Sequence, residues 1–407
     1  MKVCGIICEF NPLHNGHQYL LDRVRQEGGA DAVVCVMSGD FVQRGYPALQ
    51  DKHQRAKAAV LCGADLVLEL PVYYAVNGAS EFARGGVRIL HGLGCIDMLA
   101  FGMESQNAAA LQQLADLLSQ KQPEFEQALK EPLSRWLSYP TALSAAGRTR
   151  VIPIPASPND ILALEYIRSS MKEGAEWSYF GVERKGAGHN EDTPVNGFAS
   201  ASYLRNGLKN GRLPDAALTA LMPPASLTIL KESPLFDQPC EDRYYQILRS
   251  LLLSEDPARL ALALEMGEGL EHRFKAALQT CDSLDGLIHA VKTKRDTYGR
   301  ISRILAQLAL GLKKETYRKA VCENHTYANM LAFNETGAGL LAACKKEGTL
   351  PIVSNVKKVP EDVPYKALLD SDCRASDLYS VLTDRPIGPH SDRSRIPVLM
   401  KNSRGGR

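Results

Sequence analysis

Val3–His17 reads VCGIICEFNPLHNGH, and the fold class turns on how that stretch is understood. Its opening residues are apolar and rich in valine and isoleucine, and a turn follows within a strand's length, so they predict a buried strand. Asn11-Pro12 breaks the run, and from Gln18 onward QYLLDRVRQ has helical periodicity. His14 and His17 therefore fall where a strand hands over to a helix. At such a junction a parallel α/β sheet binds phosphates, because free backbone N–H groups meet the positive end of the helix dipole.

The same alternation continues outward. AVVCVM (Ala32–Met37), DLVLEL (Asp65–Leu70) and CIDMLAF (Cys95–Phe101) predict three more strands, with helices over Lys52–Cys62 and about Ser80–Leu90 between them. This spacing predicts βαβ units whose strand ends and loops gather at one edge of the sheet. Next come helices over about 107–146, punctuated by prolines, then an extended IPIPASPN (Ile152–Asn159). A helix over Ile161–Ser170 and a strand over Trp177–Glu183 follow. The glycine-rich KGAGHN (Lys185–Asn190) leads to a short helix carrying ASASYLR (Ala199–Arg205). Pro223-Pro224 and Ser233-Pro234 mark a boundary, beyond which helices are expected, then a loose basic tail after Ile387. The expected architecture is α/β: a Rossmann-like parallel sheet over residues 1–232, then a mainly α-helical domain over 233–407.

Composition bounds the function. The net charge of +2 supplies no global field for nucleic acid, so a polyanion site must come from local clustering. The first 232 residues hold 22 basic and 24 acidic side chains, net −2, and the remainder is net +4. Ten cysteines are scattered without a CxxC pair, several of them in apolar runs, which fits a reduced cytoplasmic compartment. Glu9 cuts the first apolar run too short for a signal peptide, and no run reaches the roughly 18 apolar residues of a membrane span. No membrane or protein partner is expected.

HNGH admits three readings: two ordinary turn histidines, a metal pair, or the HxGH signature of adenylyl-transferring enzymes. The metal pair needs a third ligand, and no HExxH or Cys/His cluster supplies one. In the HxGH reading the glycine lets ATP phosphates approach the backbone and the imidazoles donate hydrogen bonds to them. Charge building on the attacked α-phosphate is then stabilised by preorganised donors. The strand before, the helix after and the glycine between favour this third reading.

Together, MKVCGIICEFNPLHNGHQYLL, SGDFVQRGYPAL, LVLELP, TYANMLAFNETGAGLL and ASDLYSVL resemble the tRNA(Met) cytidine acetate ligases along nearly the whole chain. The resemblance implies a nucleotidyltransferase-type (HxGH) Rossmann domain and a helical domain. It also implies an enzyme that activates acetate with ATP as acetyl-adenylate. The acetyl group then passes to N4 of the wobble cytidine of elongator tRNA(Met), with Mg2+ accompanying the ATP. By the same resemblance the ATP-binding front comprises Ile7, Cys8, Glu9, Phe10, Asn11, Pro12, Leu13, His14, Asn15, Gly16, His17 and Leu20, with His14 and His17 on the phosphates. Gly102, Asn159 and Arg184 are implied as further nucleotide contacts. Each also has a local reading, as a strand-end turn, a helix N-cap and a solvated charge respectively. ASASYLR resembles a second phosphate-binding signature, with Ser202 and Arg205 on the phosphates or, alternatively, a plain N-cap.

Two sets of substrate contacts complete the expectation. The SGDFVQRG loop follows the strand adjacent to HNGH, which makes Asp40, Gln43 and Arg44 candidates for acetate or cytidine. A helix begun at Lys292 places Lys292, Arg295 and Arg303 on one face, opposite Tyr298, Ile301 and Leu305, as cations for tRNA phosphates. The rivals are a small-molecule adenylyltransferase of the pantetheine-phosphate or nicotinamide-nucleotide kind, and a noncatalytic RNA-binding protein. Neither accounts for both an intact HNGH and a long basic helical half.

Overall fold

The structure, a computed structural model, describes residues 1–105, 108–119, 155, 157–185, 193–236 and 238–401. Its centre is one sheet. Strands β1 (Val3–Cys8), β2 (Ala32–Ser38), β3 (Leu66–Leu70), β4 (Met98–Met103) and β5 (Ser178–Glu183) run parallel in the order β5-β4-β1-β2-β3. The four strands foreseen between Val3 and Phe101, and the fifth near Trp177, all form. The chain moves from β1 to β2 and β3 on one side, then crosses to β4 on the other. The crevice beyond the ends of β1 and β4 is thus the point where an open α/β sheet binds its ligand.

Both faces of the sheet are covered, which is why its inner strands are nearly continuous apolar runs. Side chains alternate between the faces. Val3, Ile7, Val34 and Val36 join one apolar cluster, under α3 (Ala79–Gly92) and α5 (Pro158–Glu173). Cys4, Ile6, Val33 and Cys35 join the other, with Leu21 and Val24 of α1 (Asn15–Gln26) and Ala56 and Ala59 of α2 (Lys52–Leu61). Helix α4 (Ala108–Ser119) packs on α5. The remainder of the expected 107–146 helices, half of IPIPASPN and nearly all of KGAGHN lie outside the described residues.

The second half is mainly helical, as expected, but adds strands to the sheet. Helices α6 (Ala201–Lys209), α7 (Pro224–Lys231), α8 (Glu241–Ser254), α9 (Leu270–Ala277), α10 (Leu284–Val291) and α11 (Tyr298–Ala309) do form, and α8–α11 extend the first apolar cluster. The chain then returns to the sheet. β6 (Ala328–Phe333) pairs antiparallel with β3, and β7 (Ile352–Val353) and β8 (Val398–Leu399) pair with β6. ANMLAF has five apolar residues and Asn329, all buried or half-buried, a length at which periodicity cannot separate strand from helix. Helices α12 (Glu335–Glu347) and α13 (Lys366–Leu382) flank these strands.

Two local expectations are corrected. Lys292 does not start a helix: it caps the C-terminus of α10, and Thr297 starts α11 by accepting from the Arg300 N–H. Thr293 and Asp296 close the intervening turn on each other, with the Thr293 N–H donating to the Asp296 carbonyl at 2.9 Å. The tail after Ile387 is not loose through residue 400. Asp392 is buried against Lys52, Arg395 lies 3.3 Å from Asp51, and Val398–Leu399 joins the sheet.

Candidate active site

The HNGH segment is built around a helix cap made by histidines. β1 ends at Cys8; Phe10 turns the chain at φ +46°, and after the cis Asn11-Pro12 bond the backbone reverses into α1. His14 is the N-cap, so the helix begins three residues earlier than QYLLDRVRQ indicates. Nδ1 of His14 accepts from the Gly16 N–H at 3.0 Å, and Nδ1 of His17 accepts from the His14 N–H at 3.3 Å. This is a capping box with imidazoles where Ser and Glu usually serve.

That geometry fixes the tautomers. A neutral imidazole that accepts at Nδ1 carries its proton on Nε2. Both rings therefore present an Nε2–H donor, and they stack 3.8 Å apart. The metal pair is excluded for this conformation at Nδ1, where both nitrogens are engaged with backbone. Gly16 serves the same arrangement, since a Cβ there would lie 2.9 Å from His14 Cε1. The edge of Phe10 meets His17 with ring centres 5.0 Å apart. No acidic residue occupies the first turn of α1, so its dipole end stays available to an anion.

Two arginines converge on these rings. Arg205, on α6, donates to the Asn11 carbonyl at 2.6 Å and to Ser202 Oγ at 3.1 Å. Arg184, the residue after β5, donates to Asn159 Oδ1 at 3.3 Å, and Asn159 Nδ2 donates to Glu104 Oε1 at 2.6 Å. Burial, then the Arg184 and Arg205 charges, push the His17 ring down to about 3. The same arginines, after burial and His17 itself, hold His14 well below the ordinary histidine range. Burial lowers Arg205 to about 10, so it remains cationic at neutral pH. The arrangement is two neutral N–H donors flanked by two guanidinium groups, at the sheet's crossover point. Its chemistry is to grip a multiply charged anion and stabilise charge developing on it.

The remaining expected residues divide into those that join this group and those that do not. Asn159 sits in the first turn of α5 rather than at its N-cap, which is Ser157. Gly102 lies within β4, with open room above it bounded by Arg184 Cγ at 3.6 Å. The α6 cap is Ser200, and Ser202 instead steadies Arg205. Glu9 accepts from the Gln43 N–H at 2.6 Å, and Asn11 Oδ1 accepts from the Leu49 N–H at 2.8 Å. Asn15 is turned away, donating to the Gly197 and Ala220 carbonyls at 2.9 Å each. Ile7 and Leu13 are core residues, and Cys8 and Leu20 pack against the core. The Leu13 carbonyl accepts from Ser226 at 2.7 Å, and Pro12 is buried at the reversal. Burial raises the Cys8 thiol well above its usual range.

Asp40 is not among the groups gathered at the two imidazoles. It is buried, accepts from the Lys52 N–H at 2.8 Å, and belongs to a cluster with Lys52, Asp51 and Asp392. Gln43 meets the site through its backbone, whereas Arg44 is exposed and its charge is felt by Arg205. Gly45 lets the loop lie on α11: its φ is +79°, and a Cβ would come 2.5 Å from the Ser302 carbonyl oxygen. Ser302 in turn donates to the Arg44 carbonyl at 2.7 Å. Lys292, Arg295 and Arg303 do not share a helical face. Lys292 is exposed, Arg295 lies 2.8 Å from Glu268, and Arg303 is largely buried near Glu265. Sequence reasoning missed Glu104, Lys52 and Arg55. KHQRAK reads as a solvated helix face, and nothing local signals that two of its cations are fully buried.

Comparison with known proteins finds relatives along nearly the whole chain. The family model described as HIGH Nucleotidyl Transferase matches residues 1–393. The chain is 34% identical over 403 residues to the tRNA(Met) cytidine acetate ligase of Acetivibrio thermocellus, covering 95% of this chain and 96% of that protein. It is 35% identical to the protein of the same name from Syntrophomonas wolfei, with coverage of 95% and 96%. Among solved structures, Thermotoga maritima TmcAL superposes with TM-score 0.90 at 30% identity, covering 99% of this chain and all of that one. The same protein bound with alpha-thio ATP superposes with TM-score 0.88 at 30% identity, with the same coverage.

Proposed function

The chain belongs to the HIGH nucleotidyl transferase family and, within it, to the tRNA(Met) cytidine acetate ligases, and from that premise we propose that it joins acetate to tRNA(Met) at the expense of ATP. In the first step an acetate oxygen attacks the α-phosphorus, the bond to the β-phosphate oxygen breaks, and pyrophosphate leaves with the electron pair. In the second, the N4 amine of the wobble cytidine in elongator tRNA(Met) attacks the acetyl carbon. AMP departs, the nitrogen loses a proton, and N4-acetylcytidine results. No covalent enzyme intermediate is needed.

The observation that carries this reading is the pair of Nε2–H donors held by the capping box between Arg184 and Arg205. ATP lying across the crossover crevice meets those donors at its phosphates, and Gly102 leaves room beside β4 for the nucleoside. Because the rings are neutral, they donate hydrogen bonds without taking up a proton from solvent. The arginines supply the charge that offsets the departing pyrophosphate. Adenylation solves the chemical problem of a carboxylate that is a poor acyl donor. Docking the anticodon then makes attack by a weak amine effectively intramolecular. Magnesium bound to ATP would add charge neutralisation at the phosphates.

Acetate-dependent ATP–pyrophosphate exchange tests the proposal. The wild type should catalyse exchange with acetate and weakly or not at all with larger carboxylic acids. His17→Ala should reduce it about 100-fold, the scale of removing one transition-state donor, while leaving circular dichroism unchanged. Exchange driven by a phosphopantetheine or a mononucleotide, or normal exchange in His17→Ala, would refute it.

A further inference from the structure

Arg55 lies outside every motif discussed above, yet it is fully buried directly beneath the active-site loops. It sits on α2, and its guanidinium reaches the ends of the two central strands. Nη1 donates to the carbonyl of Glu9, the residue after β1, at 2.6 Å. Nη2 donates to the carbonyl of Gly39, the residue after β2, and Nε donates to the Gln50 carbonyl at 3.1 Å. Nη1 also lies 3.5 Å from Ser38 Oγ. Among the described residues, all its hydrogen bonds go to neutral oxygens.

Glu9 and Gly39 root the two segments that make the site. Glu9 leads directly into the His14–His17 cap. Gly39 leads into the loop that carries Arg44 and returns at Gln50, a third carbonyl held by the same guanidinium. In the β1–β2 ladder Cys8 is partnered with Met37, so the two carbonyls lie just past neighbouring strand ends. A planar fork spans two acceptors at fixed separation, which a lysine cannot do. A second link joins the same roots, since the Glu9 carboxylate accepts from the Gln43 N–H.

We infer that Arg55 is a positioning residue: it sets the HNGH loop and the Arg44 loop in one register, so that the imidazole donors and the outer cation face the same phosphate chain. The residue touches no substrate. The kinetic consequence rests on the proposed adenylation, whereas the registration itself does not.

Hydrogen exchange on Arg55→Lys and Arg55→Gln tests the registration without reference to any substrate. Amides of residues 9–17 and 39–50 should exchange at least about tenfold faster in a variant, while those of α3 and β4 keep wild-type rates. In acetate-dependent pyrophosphate exchange, kcat per folded molecule should fall about 100-fold with ATP KM within about threefold, the cost of misplacing prealigned groups. A residue that serves stability alone would leave kcat per folded molecule unchanged and would speed exchange everywhere or nowhere, and either result overturns the inference. Should neither variant fold, the wild type decides. Amides of the two loops should open together as denaturant is raised, and separate openings overturn the inference. A wild type without acetate-dependent exchange would count against the proposed function and leave the amide readout standing.

Discussion

The His17 imidazole can donate to an anion only while it stays neutral at Nδ1, because that nitrogen accepts from the His14 backbone. Protonation there would break the cap and place a third cation between Arg184 and Arg205. The depressed pKa is thus a requirement of the arrangement. Its sign sets a pH window. The unfolded chain carries an ordinary histidine near 6.5, and the folded one a ring lowered to about 3. The associated stability is complete above pH 6.5 and is lost progressively as pH falls towards 3, because only the unfolded state takes up the proton. Ring nitrogen chemical shifts of His14 and His17 should therefore stay constant between pH 5 and 8 in the free protein. A midpoint near 6.5 for either ring would contradict the assigned tautomers. At this scale the sequence was legible where a motif was local. HNGH, a strand before it and a helix after it were enough to place two histidines. Arg184, Asn159 and Arg205 were reached only through family resemblance. Arg55 and Glu104 were not reached at all, since their partners are set by tertiary packing.

At the scale of elements, the reading of Lys292–Lys319 shows what periodicity leaves out. Apolar residues recur at helical spacing from Tyr298, but the polar residues before them form a turn and a threonine cap. Thr297 followed by the α11 pattern is a start signal of the ordinary kind, and the cations from Lys292 to Arg303 run across it. The final segment posed the opposite problem. Arg393 and Arg395 look like a solvated tail, yet Asp392 between Ser391 and Arg393 is almost fully buried and bonds to Lys52. Lys52 also bonds to Glu69 of β3 at 2.7 Å, so one ammonium group joins α2, β3 and the end of the chain. Burial would raise the Asp392 carboxyl, but the Lys52 and His53 charges hold it down at about 2. Asp392→Ala leaves that ammonium, among the described residues, with Glu69 as its one directly bonded carboxylate. It should lower the unfolding free energy by about 3 kcal/mol in urea titrations, the lower end for breaking a buried ion pair. A loss below 0.5 kcal/mol would mean that the segment is not anchored there.

Over the whole molecule, α11 is tied to the loop over residues 39–50 rather than merely following it in the chain. The Tyr46 and Tyr298 hydroxyls are 2.6 Å apart, and Ser302 holds the Arg44 carbonyl. For the proposed reaction, we propose that tRNA docks over α10 and α11, on the side of the site that carries Arg44. Lys292 and Lys294 remain as exposed cations in the turn ahead of α11. Lys292→Ala with Lys294→Ala should reduce the salt slope of tRNA binding by about 1.5 and spare acetate-dependent exchange. Unchanged affinity and slope would move the docking surface elsewhere. The fold class and the first five strands could be anticipated from the sequence, because each βαβ unit is local, whereas the crossing from β3 to β4 on the far side of β1 could not. The return of the chain at β6 could not be, since a short apolar run carries no record of its distant partner.

That return has a consequence for how the protein is made. Glu69 on β3 and Asn329 on β6, joined at 2.7 Å, are 260 residues apart. At ribosomal rates of about 5–20 residues per second, β3 waits roughly 10–50 s with one edge uncovered after it emerges. An apolar LVLEL exposed for that time invites pairing with other nascent chains. Glu69 is a charged group on that unfinished border, the kind of residue that discourages such pairing. The carboxylate that later binds Lys52 and Asn329 thus begins as a guard on the growing chain.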